Sequence, residues 1–372
     1  MIRFSRILPA LMVAAGTVIA SVIAPPPALA ADEVSANVIA ETYAALLERD
    51  YVYPETGKRY AAAIRAGIAA GRYASLIGEA LGKAIDQDVN AVSPDGHLRL
   101  RAPEAPEAPE AAEAAAAANA GPSRRAQKLP IEQAGWIAPG IAFVRFNVFP
   151  MDCDVTAQTA KFMADHADAK AIIFDIRTHN GGGLDQMDVI FPWLFSEPTR
   201  LVTMATRASV DARGGSPIDG LASMRMVKGN PGMVTREHWV TPGADARLRD
   251  AKVYVLTSGA SASAAEHFAL AMKHTGRGTL VGAPTAGANH FGTGEDLGNG
   301  YAAFIPVGRT YDPKTGKDWE GVGVAPDIPV MPADALLRVL TDMGVAPDAA
   351  RRLSDAHRPS WPMERRRPRP GR

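Results

Sequence analysis

Apolar runs alternate with stretches of helical periodicity between residues 141 and 285, and this alternation constrains the fold more than any other feature. The strand-like runs are IAFVRFNVF, AIIFDIR, LVTMATRA, KVYVLTS and GTLVGAPT, and the helical stretches are TAQTAKFMADHAD, LDQMDVIFPWLF and SAAEHFALAMKHT. This pattern is typical of an α/β core with parallel strands. In such cores, ligands and catalytic groups gather where a strand ends and a helix begins.

The first such junction is AIIFDIRTHNGGGLDQM, in which an apolar strand ends near Asp175 and three glycines precede the next helix. Glycines here allow positive φ angles and let backbone N–H groups approach a ligand closely. The same run is also compatible with a tight strand-to-helix turn. It is not a phosphate loop, because the GKS or GKT ending is absent.

The second junction, TSGASASAAEHFA, places three serines before a helix. Ser263 lies at the first turn, where unpaired N–H groups and the helix dipole favour a developing negative charge. As a nucleophile it would gain an oxyanion donor from the amide of Ala264. Helix capping is the alternative: Ser261 fits a cap equally well, and Glu266 would complete a capping box with Ser263.

The first 30 residues have the pattern of a signal peptide: Arg3 and Arg6, an apolar stretch, and small residues at Ala28 and Ala30. We expect cleavage after Ala30 and an exported protein, periplasmic or secreted; an uncleaved anchor is the alternative. No other segment is apolar enough to span a bilayer, so no stable membrane span is expected after cleavage. The single cysteine, Cys153, excludes an internal disulfide.

Composition divides the remaining chain. We predict an N-terminal helical domain of about three helices at 31–95, a strand carrying His97 at 96–101, and a linker at 102–130 that is rich in Ala, Pro and Glu. The α/β domain follows at 131–340, and a basic tail at 341–372 is expected to be disordered.

Charge gives no indication of a polyanionic partner. Lys plus Arg and Asp plus Glu each number 40, so neither nucleic acid nor an anionic membrane is indicated. The spacing of the eight histidines offers no convincing zinc pair with a third ligand. We therefore predict neither a metal nor another cofactor.

Four collinear motifs resemble one family. AIIFDIRTHNGGG, VYVLTSGASASAAEHFALAMK, LVGAPTAGAN and WEGVGVAPDIPV resemble the tail-specific, or C-terminal processing, serine peptidases. The helical segment before SPDGHLRL is similar to the branch that contains the interphotoreceptor retinoid-binding protein repeats and the tricorn protease core. The resemblance implies a mixed, largely parallel sheet with flanking helices, of crotonase-like or ClpP-like type, preceded by a small helical domain.

The resemblance also implies roles for single residues. Ser263 matches the family nucleophile, Ala264 matches one oxyanion donor, and Gly182 or Gly183 matches the other. The lysine base of the processing branch is replaced by Ala288, which excludes a Ser–Lys mechanism because a serine needs a neighbour to accept its proton.

Two further matches come from the tricorn-like branch. His97 in SPDGHLRL matches its histidine base, and Glu320 in WEGVGV matches the acidic residue that would orient the imidazole. His290 is a rival base or substrate contact, and His179 could line the site.

The expected function is hydrolysis of a peptide or protein substrate through an acyl-enzyme. The alternative is a non-catalytic binding protein that uses the same cleft for a hydrophobic ligand or a peptide. Only about forty residues separate His97 from the strand IAFVRF, so a PDZ domain does not fit between them and selectivity for free C-termini is not carried over. The oligomeric state is not predicted.

Overall fold

Three helices begin the part of the chain that the computed structural model describes, residues 35–103 and 128–364. They are α1 (Ala36–Asp50), α2 (Pro54–Ala69) and α3 (Gly78–Val92), which confirms the expected number. Pro54 occupies the first position of α2, where its missing N–H costs no intrahelical hydrogen bond. The predicted signal peptide and most of the predicted linker lie outside the described residues.

Two six-stranded sheets and six further helices follow. In chain order the strands are β1 (Arg99–Arg101), β2 (Ile131–Ala138), β3 (Ile141–Phe146), β4 (Ala171–Asp175), β5 (Thr199–Arg207), β6 (Met224–Val227), β7 (Met233–Val240), β8 (Lys252–Thr257), β9 (Thr279–Gly282), β10 (His290–Gly298), β11 (Tyr301–Tyr311) and β12 (Ile328–Pro329). The helices are α4 (Cys153–Asp165), α5 (Asp185–Leu194), α6 (Ala208–Asp211), α7 (Ala264–His274), α8 (Ala335–Asp342) and α9 (Pro347–Ala356).

The first sheet has the order β12-β9-β8-β4-β3-β2 and is parallel except for the β2–β3 hairpin. Its central strand β4 is buried along its whole length, as expected for a parallel strand covered on both faces. Phe174 of this strand packs against Phe268 of α7, and Phe191 of α5 stacks on the same ring at 5.4 Å. The other face packs against α8 through Leu336 and Leu340. The predicted parallel α/β core is therefore present.

The second sheet is antiparallel and was not predicted. Its path is β1-β11-β5-β7-β6, and β10 also pairs with β11. Strand β10, HFGTGEDLG, is glycine-rich and half exposed, and β6 has two exposed positions in four, so neither has a long apolar run. Such strands form because a neighbour supplies the pairing, and sequence periodicity does not report that.

The three N-terminal helices are not a separate domain. Ile39 and Tyr43 of α1 share one hydrophobic core with Ile305 and Val307 of β11. The described residues form one compact unit. The predicted boundary at residue 95 is therefore wrong, because the apolar helix faces are buried on the antiparallel sheet.

The predicted disordered tail also begins too early. Helix α9 lies inside it, with Ala350 fully buried and Leu353 packed against the same core. The Arg145 guanidinium donates to the carbonyl of His357, and the Ser360 amide donates to Glu132 at 3.1 Å. Within 35–103 and 128–364, no helix is both long and apolar enough to cross a membrane.

Candidate active site

The two strand-to-helix junctions selected from the sequence meet in space. Strands β4 and β8 are parallel neighbours, with Asp175 opposite Leu256, so their carboxyl ends lie side by side. The Ala262 amide donates to the carbonyl of His179 at 2.9 Å, which joins the serine loop to the glycine loop. This is the crevice position in which α/β folds place their sites.

The three serines have different environments. Ser261 Oγ donates to the carbonyl of Ile176 at 2.7 Å and accepts from the Ser258 amide at 3.0 Å. Ser258 Oγ donates to the carbonyl of Arg177. Both residues are fully buried and hold the turn. Ser263 is partly exposed and is the N-cap residue immediately before α7.

Ser263 has a strained backbone. Its φ is 57° and its ψ is −115°, and Asn299 is the other non-glycine residue with positive φ among the described residues. A conformation of this kind costs on the order of 1–3 kcal/mol and persists where the surroundings enforce it, which is common at functional sites. The helix-capping interpretation alone does not explain it, because an N-cap residue normally has β-region angles.

The surroundings that enforce this conformation include Glu266. Its carboxylate is fully buried and accepts from the amides of Ser263 at 2.8 Å, Gly287 at 2.6 Å and Ala288 at 2.7 Å. The Thr285 hydroxyl donates to it at 2.6 Å. Burial raises the pKa of Glu266 to about 7, although these four donors oppose the shift. Glu266 therefore joins the serine turn to the segment 285–288.

Two amides beside Ser263 are free to receive a negatively charged oxygen. Ala264 is the first residue of α7, so its N–H has no intrahelical acceptor. In the glycine loop, Phe149 accepts from the Gly183 amide at 2.7 Å, whereas the Gly182 amide has no backbone acceptor within the described residues. Of the two glycines expected as oxyanion donors, Gly182 is available and Gly183 is not.

Close packing requires the glycines at this turn. A Cβ on Gly181 would lie 3.0 Å from the Ser263 Cβ, and one on Gly182 would lie 2.0 Å from the carbonyl oxygen of Phe149. The φ angles of Gly181 and Gly182 are 114° and 130°, which side chains disfavour. The glycine run is thus both a tight turn and a close approach to the serine.

Four titratable residues from three separate segments form a cluster. One nitrogen or carboxylate oxygen from each of Asp95, His97, His290 and Glu320 lies within 4.8 Å of the others. The Nδ1 atom of His290 is 2.8 Å from Asp95 Oδ2 and 3.8 Å from Glu320 Oε2. His97 Nδ1 is 3.6 Å from Asp95 Oδ1. The sequence-predicted His97, Glu320 and rival His290 are therefore together.

Asp95 is the cluster member that sequence reasoning missed. Its side chain is buried and also accepts from the Tyr51 hydroxyl and the His97 amide, both at 2.8 Å. Burial alone would raise the pKa of Asp95, but the hydrogen bond from His290 and the nearby imidazole of His97 hold it well below its usual range. Burial opposes protonation of His290, yet the bond to Asp95 gives that imidazole a raised pKa. The sequence feature that could have identified Asp95 is its position two residues before His97 in SPDGHLRL.

His97 is not hydrogen-bonded to Ser263. Both of its ring nitrogens are buried without a hydrogen-bond partner among the described residues, and so is Nε2 of His290. The carboxylate nearest to His97 in the cluster is Asp95, whereas Glu320 accepts from the Asn289 amide at 2.6 Å. The structure thus brings the expected base and acid together but leaves the His97–Ser263 hydrogen bond unformed.

One short segment links the serine to the cluster. The amide of Ala288 donates to Glu266, the amide of Asn289 donates to Glu320, and Nδ1 of His290 donates to Asp95. Ala288, which replaces the family lysine, therefore contributes its backbone and no base. Displacement of this segment would therefore disturb both the serine turn and the cluster around His97.

His179 supports the glycine loop. It is fully buried, and its Nδ1 accepts from the Gly181 amide at 3.1 Å. Burial, with a smaller effect from Lys128, lowers the pKa of His179 to about 3, so its ring is neutral at ordinary pH. A neutral ring held in this way positions the turn and is poorly suited to accept a proton.

Comparison with known proteins identifies the family of the chain. The model of the family described as Peptidase family S41 matches residues 140–330. A curated relative, the chloroplastic carboxyl-terminal-processing peptidase 3 of Arabidopsis thaliana, is 29% identical over 189 residues, which are 50% of this chain and 31% of that protein. The chain thus aligns with about a third of the length of that relative.

Solved structures show the same fold. The photosystem II D1 C-terminal processing protease has a TM-score of 0.53 at 15% identity, covering 86% of this chain and 97% of the other. The tricorn protease has a TM-score of 0.50 at 12% identity, covering 86% of this chain and 37% of the other. At these identities the likeness concerns the fold.

Proposed function

Because the chain belongs to peptidase family S41, a family of serine peptidases, we propose that it hydrolyses peptide bonds with Ser263 as nucleophile and His97 as general base. The observation that carries the proposal is the strained backbone of Ser263 at the start of α7, together with the amides of Gly182 and Ala264, which have no backbone acceptor in the described part of the chain. A buried capping serine has no need of either feature.

The first chemical step forms an acyl-enzyme. Ser263 Oγ attacks the carbonyl carbon of the scissile bond while His97 takes the hydroxyl proton. The carbonyl oxygen becomes an oxyanion, which the Gly182 and Ala264 amides stabilise as hydrogen-bond donors. The tetrahedral intermediate then collapses: the C–N bond breaks and His97 gives its proton to the leaving amine. Water attacks the acyl carbon while His97 takes one of its protons, the ester C–O bond breaks, and His97 returns that proton to Ser263 Oγ as the new carboxyl group leaves.

The carboxylates support the imidazolium that forms on His97. Asp95, with Oδ1 3.6 Å from Nδ1, and Glu320 in the same cluster provide negative charge near the ring. Neither ring nitrogen has a hydrogen bond among the described residues, so an approach of the ring to Ser263 would break none. We assign the orienting role to Asp95 together with Glu320.

Export is part of the same proposal. The Arg-flanked apolar stretch and the Ala28–Ala30 site support cleavage after Ala30, although these residues lie outside the described part of the chain. Expression of the full chain in a bacterial host, followed by N-terminal sequencing of the processed protein, tests it. A mature protein beginning at Ala31 in the exported fraction supports export; an uncleaved N-terminus in every fraction contradicts it.

Peptide hydrolysis tests the activity directly. The purified protein, with Ser263→Ala and His97→Ala variants, is incubated with an unstructured protein substrate and the products are identified by mass spectrometry. We expect each variant to lose roughly 10³-fold or more in rate, as removal of a triad member does. Ser196→Ala, at an exposed serine, is the control and should retain activity. Equal cleavage by wild type and Ser263→Ala contradicts the proposal, and a wild type that cleaves nothing favours the binding-protein alternative.

A further inference from the structure

The cluster of Asp95, His97, His290 and Glu320 has the ligand set of a transition-metal site. Asp95 and His97 come from the segment before β1, His290 begins β10, and Glu320 precedes β12. Together they offer two imidazole nitrogens and two carboxylate oxygens, all within 4.8 Å of one another. Four nitrogen and oxygen ligands are a complete tetrahedral set for zinc. The four residues lie in three distant parts of the sequence and form no recognisable ligand motif, so the sequence alone predicts no metal.

The separations inside the cluster fit such a set. Zinc bound at about 2.0–2.2 Å from each ligand places tetrahedral ligand atoms roughly 3.3–3.5 Å apart. His290 Nδ1 lies 2.8 Å from Asp95 Oδ2 and 3.8 Å from Glu320 Oε2, and His97 Nδ1 lies 3.6 Å from the other Asp95 oxygen, Oδ1. The ligand atoms of all four residues lie within 4.8 Å of one another, so side-chain shifts of about 1 Å would bring them to tetrahedral spacing.

Charge also favours a cation here. In the described part of the chain, the ion-pair partners of Asp95 and Glu320 are the two histidines, and no lysine or arginine pairs with either carboxylate. The two carboxylates of the cluster, one of them on the buried Asp95, therefore have no permanently charged side chain as an ion-pair partner among the described residues. A buried charge is costly unless it is paired or coordinates a metal. A divalent cation would neutralise the cluster.

The outer contacts have the form that metal sites require. Asp95 accepts from the Tyr51 hydroxyl and the His97 amide, and Glu320 accepts from the Asn289 amide, so both carboxylates are already oriented. The buried ring nitrogens Nδ1 and Nε2 of His97 and Nε2 of His290 have no hydrogen-bond partner among the described residues. A buried imidazole with unused nitrogens is an independent sign of a ligand or proton-transfer role.

We propose that Asp95, His97, His290 and Glu320 form an inhibitory site for a divalent transition metal of the zinc type. The regulatory consequence rests on the proposed function. Coordination through the His97 Nδ1 that faces Asp95 leaves the ring proton on Nε2, so the ring can no longer accept the proton of Ser263. Metal binding and acyl-enzyme formation are therefore mutually exclusive. The imidazoles favour zinc, copper or nickel over the oxygen-preferring magnesium and calcium.

Metal binding is tested first without catalysis. The Ser263→Ala protein is titrated with Zn²⁺ by calorimetry and in competition with a chromophoric chelator, and Mg²⁺ serves as the comparison ion. We expect one equivalent of Zn²⁺ and at least tenfold weaker binding after adding His97→Asn, His290→Asn or Glu320→Gln. His357→Gln, at a histidine outside the cluster, should leave the affinity unchanged. Unchanged zinc affinity in the cluster variants overturns the site.

The variants differ in their demands on the fold. His290 is buried, whereas the Glu320 side chain is 21% exposed, so Glu320→Gln decides the outcome if a histidine variant does not fold. A rise in the melting temperature of Ser263→Ala on adding Zn²⁺, but not of its Glu320→Gln derivative, is the second expected readout. Equal rises in both proteins would place the zinc elsewhere and overturn the assignment.

Inhibition is tested separately on the protein with intact Ser263. Its reaction with a fluorophosphonate probe should be suppressed by the Zn²⁺ concentration that saturates the site and restored by EDTA, with Mg²⁺ ineffective. Zinc binding without suppression overturns the inhibitory role and leaves the peptidase proposal standing. A protein that never reacts with the probe, with or without zinc, contradicts the peptidase proposal and the inhibitory consequence, while the calorimetric result still decides the metal site.

Discussion

The carboxylate of Glu266 accepts a hydrogen bond of 2.8 Å from the backbone amide of Ser263, the residue with the strained φ of 57°. The same oxygen, Oε2, accepts from the amide of Ala288 at 2.7 Å, so one atom ties the serine turn to the segment that leads to His290. Glu266 is therefore a positioning residue. It acts on the site through the backbone and touches no substrate atom in this account.

Replacing Glu266 by glutamine tests this role. Both carboxylate oxygens of Glu266 accept hydrogen bonds, and glutamine replaces one of these oxygens with an NH₂ group, which cannot accept. At least one buried donor therefore loses its acceptor. We expect about 1–3 kcal/mol lower stability and a rate of peptide hydrolysis about 10–100-fold lower, because small displacements of reacting groups are costly. Glu197→Gln, at an exposed glutamate, is the control for both measurements. Unchanged kcat in Glu266→Gln contradicts the positioning role.

The raised pKa of Glu266 also predicts a pH dependence of stability. The folded carboxyl has a pKa of about 7 against an ordinary value of 4.5, so the folded state holds the proton more tightly. Stability from this group is present below the unfolded pKa and is lost as pH rises through about 7. With about 1.4 kcal/mol for each pKa unit, the loss is about 3 kcal/mol. Urea unfolding of wild type and Glu266→Gln at pH 5 and pH 8 measures it; parallel changes in the two proteins would refute it.

Gly182 predicts a steric effect beside the serine. An alanine Cβ there would lie 2.0 Å from the carbonyl oxygen of Phe149, so Gly182→Ala should displace the loop and remove an oxyanion donor. We expect activity to fall by about 10²-fold or more, as for loss of one such donor. Gly220→Ala is matched, because Gly220 also has positive φ but no atom lies within 4 Å of its Cβ. Equal activity of the two variants would contradict the assignment.

The buried ion pairs of Asp175 predict an effect on stability. Its carboxylate is fully buried and bonds the guanidinium groups of Arg145 and Arg177 at 2.8 and 2.7 Å. Burial alone would raise the pKa of Asp175, but the two arginines lower it to about 2. Asp175→Ala leaves two buried cations without this partner and should cost about 3–5 kcal/mol in urea unfolding.

The matched control for Asp175 is Asp245, which also precedes an arginine by two residues but pairs with the half-exposed Arg247 at the surface. Asp245→Ala should change the unfolding free energy far less, because exposed pairs contribute little. Equal losses in the two variants would contradict the importance of the buried network. The contribution of Asp175 to the free energy of unfolding should disappear as pH falls below the unfolded pKa of 3.8 and through the folded pKa of about 2.

Sequence reasoning located the serine and glycine junctions because both follow fully apolar strands, whose pattern is a local property. It missed the antiparallel sheet, since strands such as β10 acquire their conformation from β11 and carry no strong pattern of their own. It recognised Glu266 only as a possible capping partner of Ser263. The contacts of Glu266 with Thr285, Gly287 and Ala288 depend on tertiary structure.

The histidine cluster shows the same limit. The motif around His97 and the one around Glu320 were recognised separately, and their proximity to Asp95 and His290 arises from three distant segments. No local pattern indicates that the carboxylate nearest to the His97 ring is Asp95. The missing His97–Ser263 hydrogen bond is likewise a property of side-chain orientation, which sequence spacing does not specify.

The central claim is that Ser263 is a nucleophile activated by His97, and covalent labelling tests it most directly. The protein is treated with a fluorophosphonate probe, the modified residue is located by peptide mapping with mass spectrometry, and the rate is measured for wild type, Ser263→Ala and His97→Ala. The account predicts a single adduct on Ser263 in the wild type, none in Ser263→Ala, and a rate at least 100-fold lower in His97→Ala. Equal labelling of the three proteins, or an adduct on Ser258 or Ser261, would contradict it.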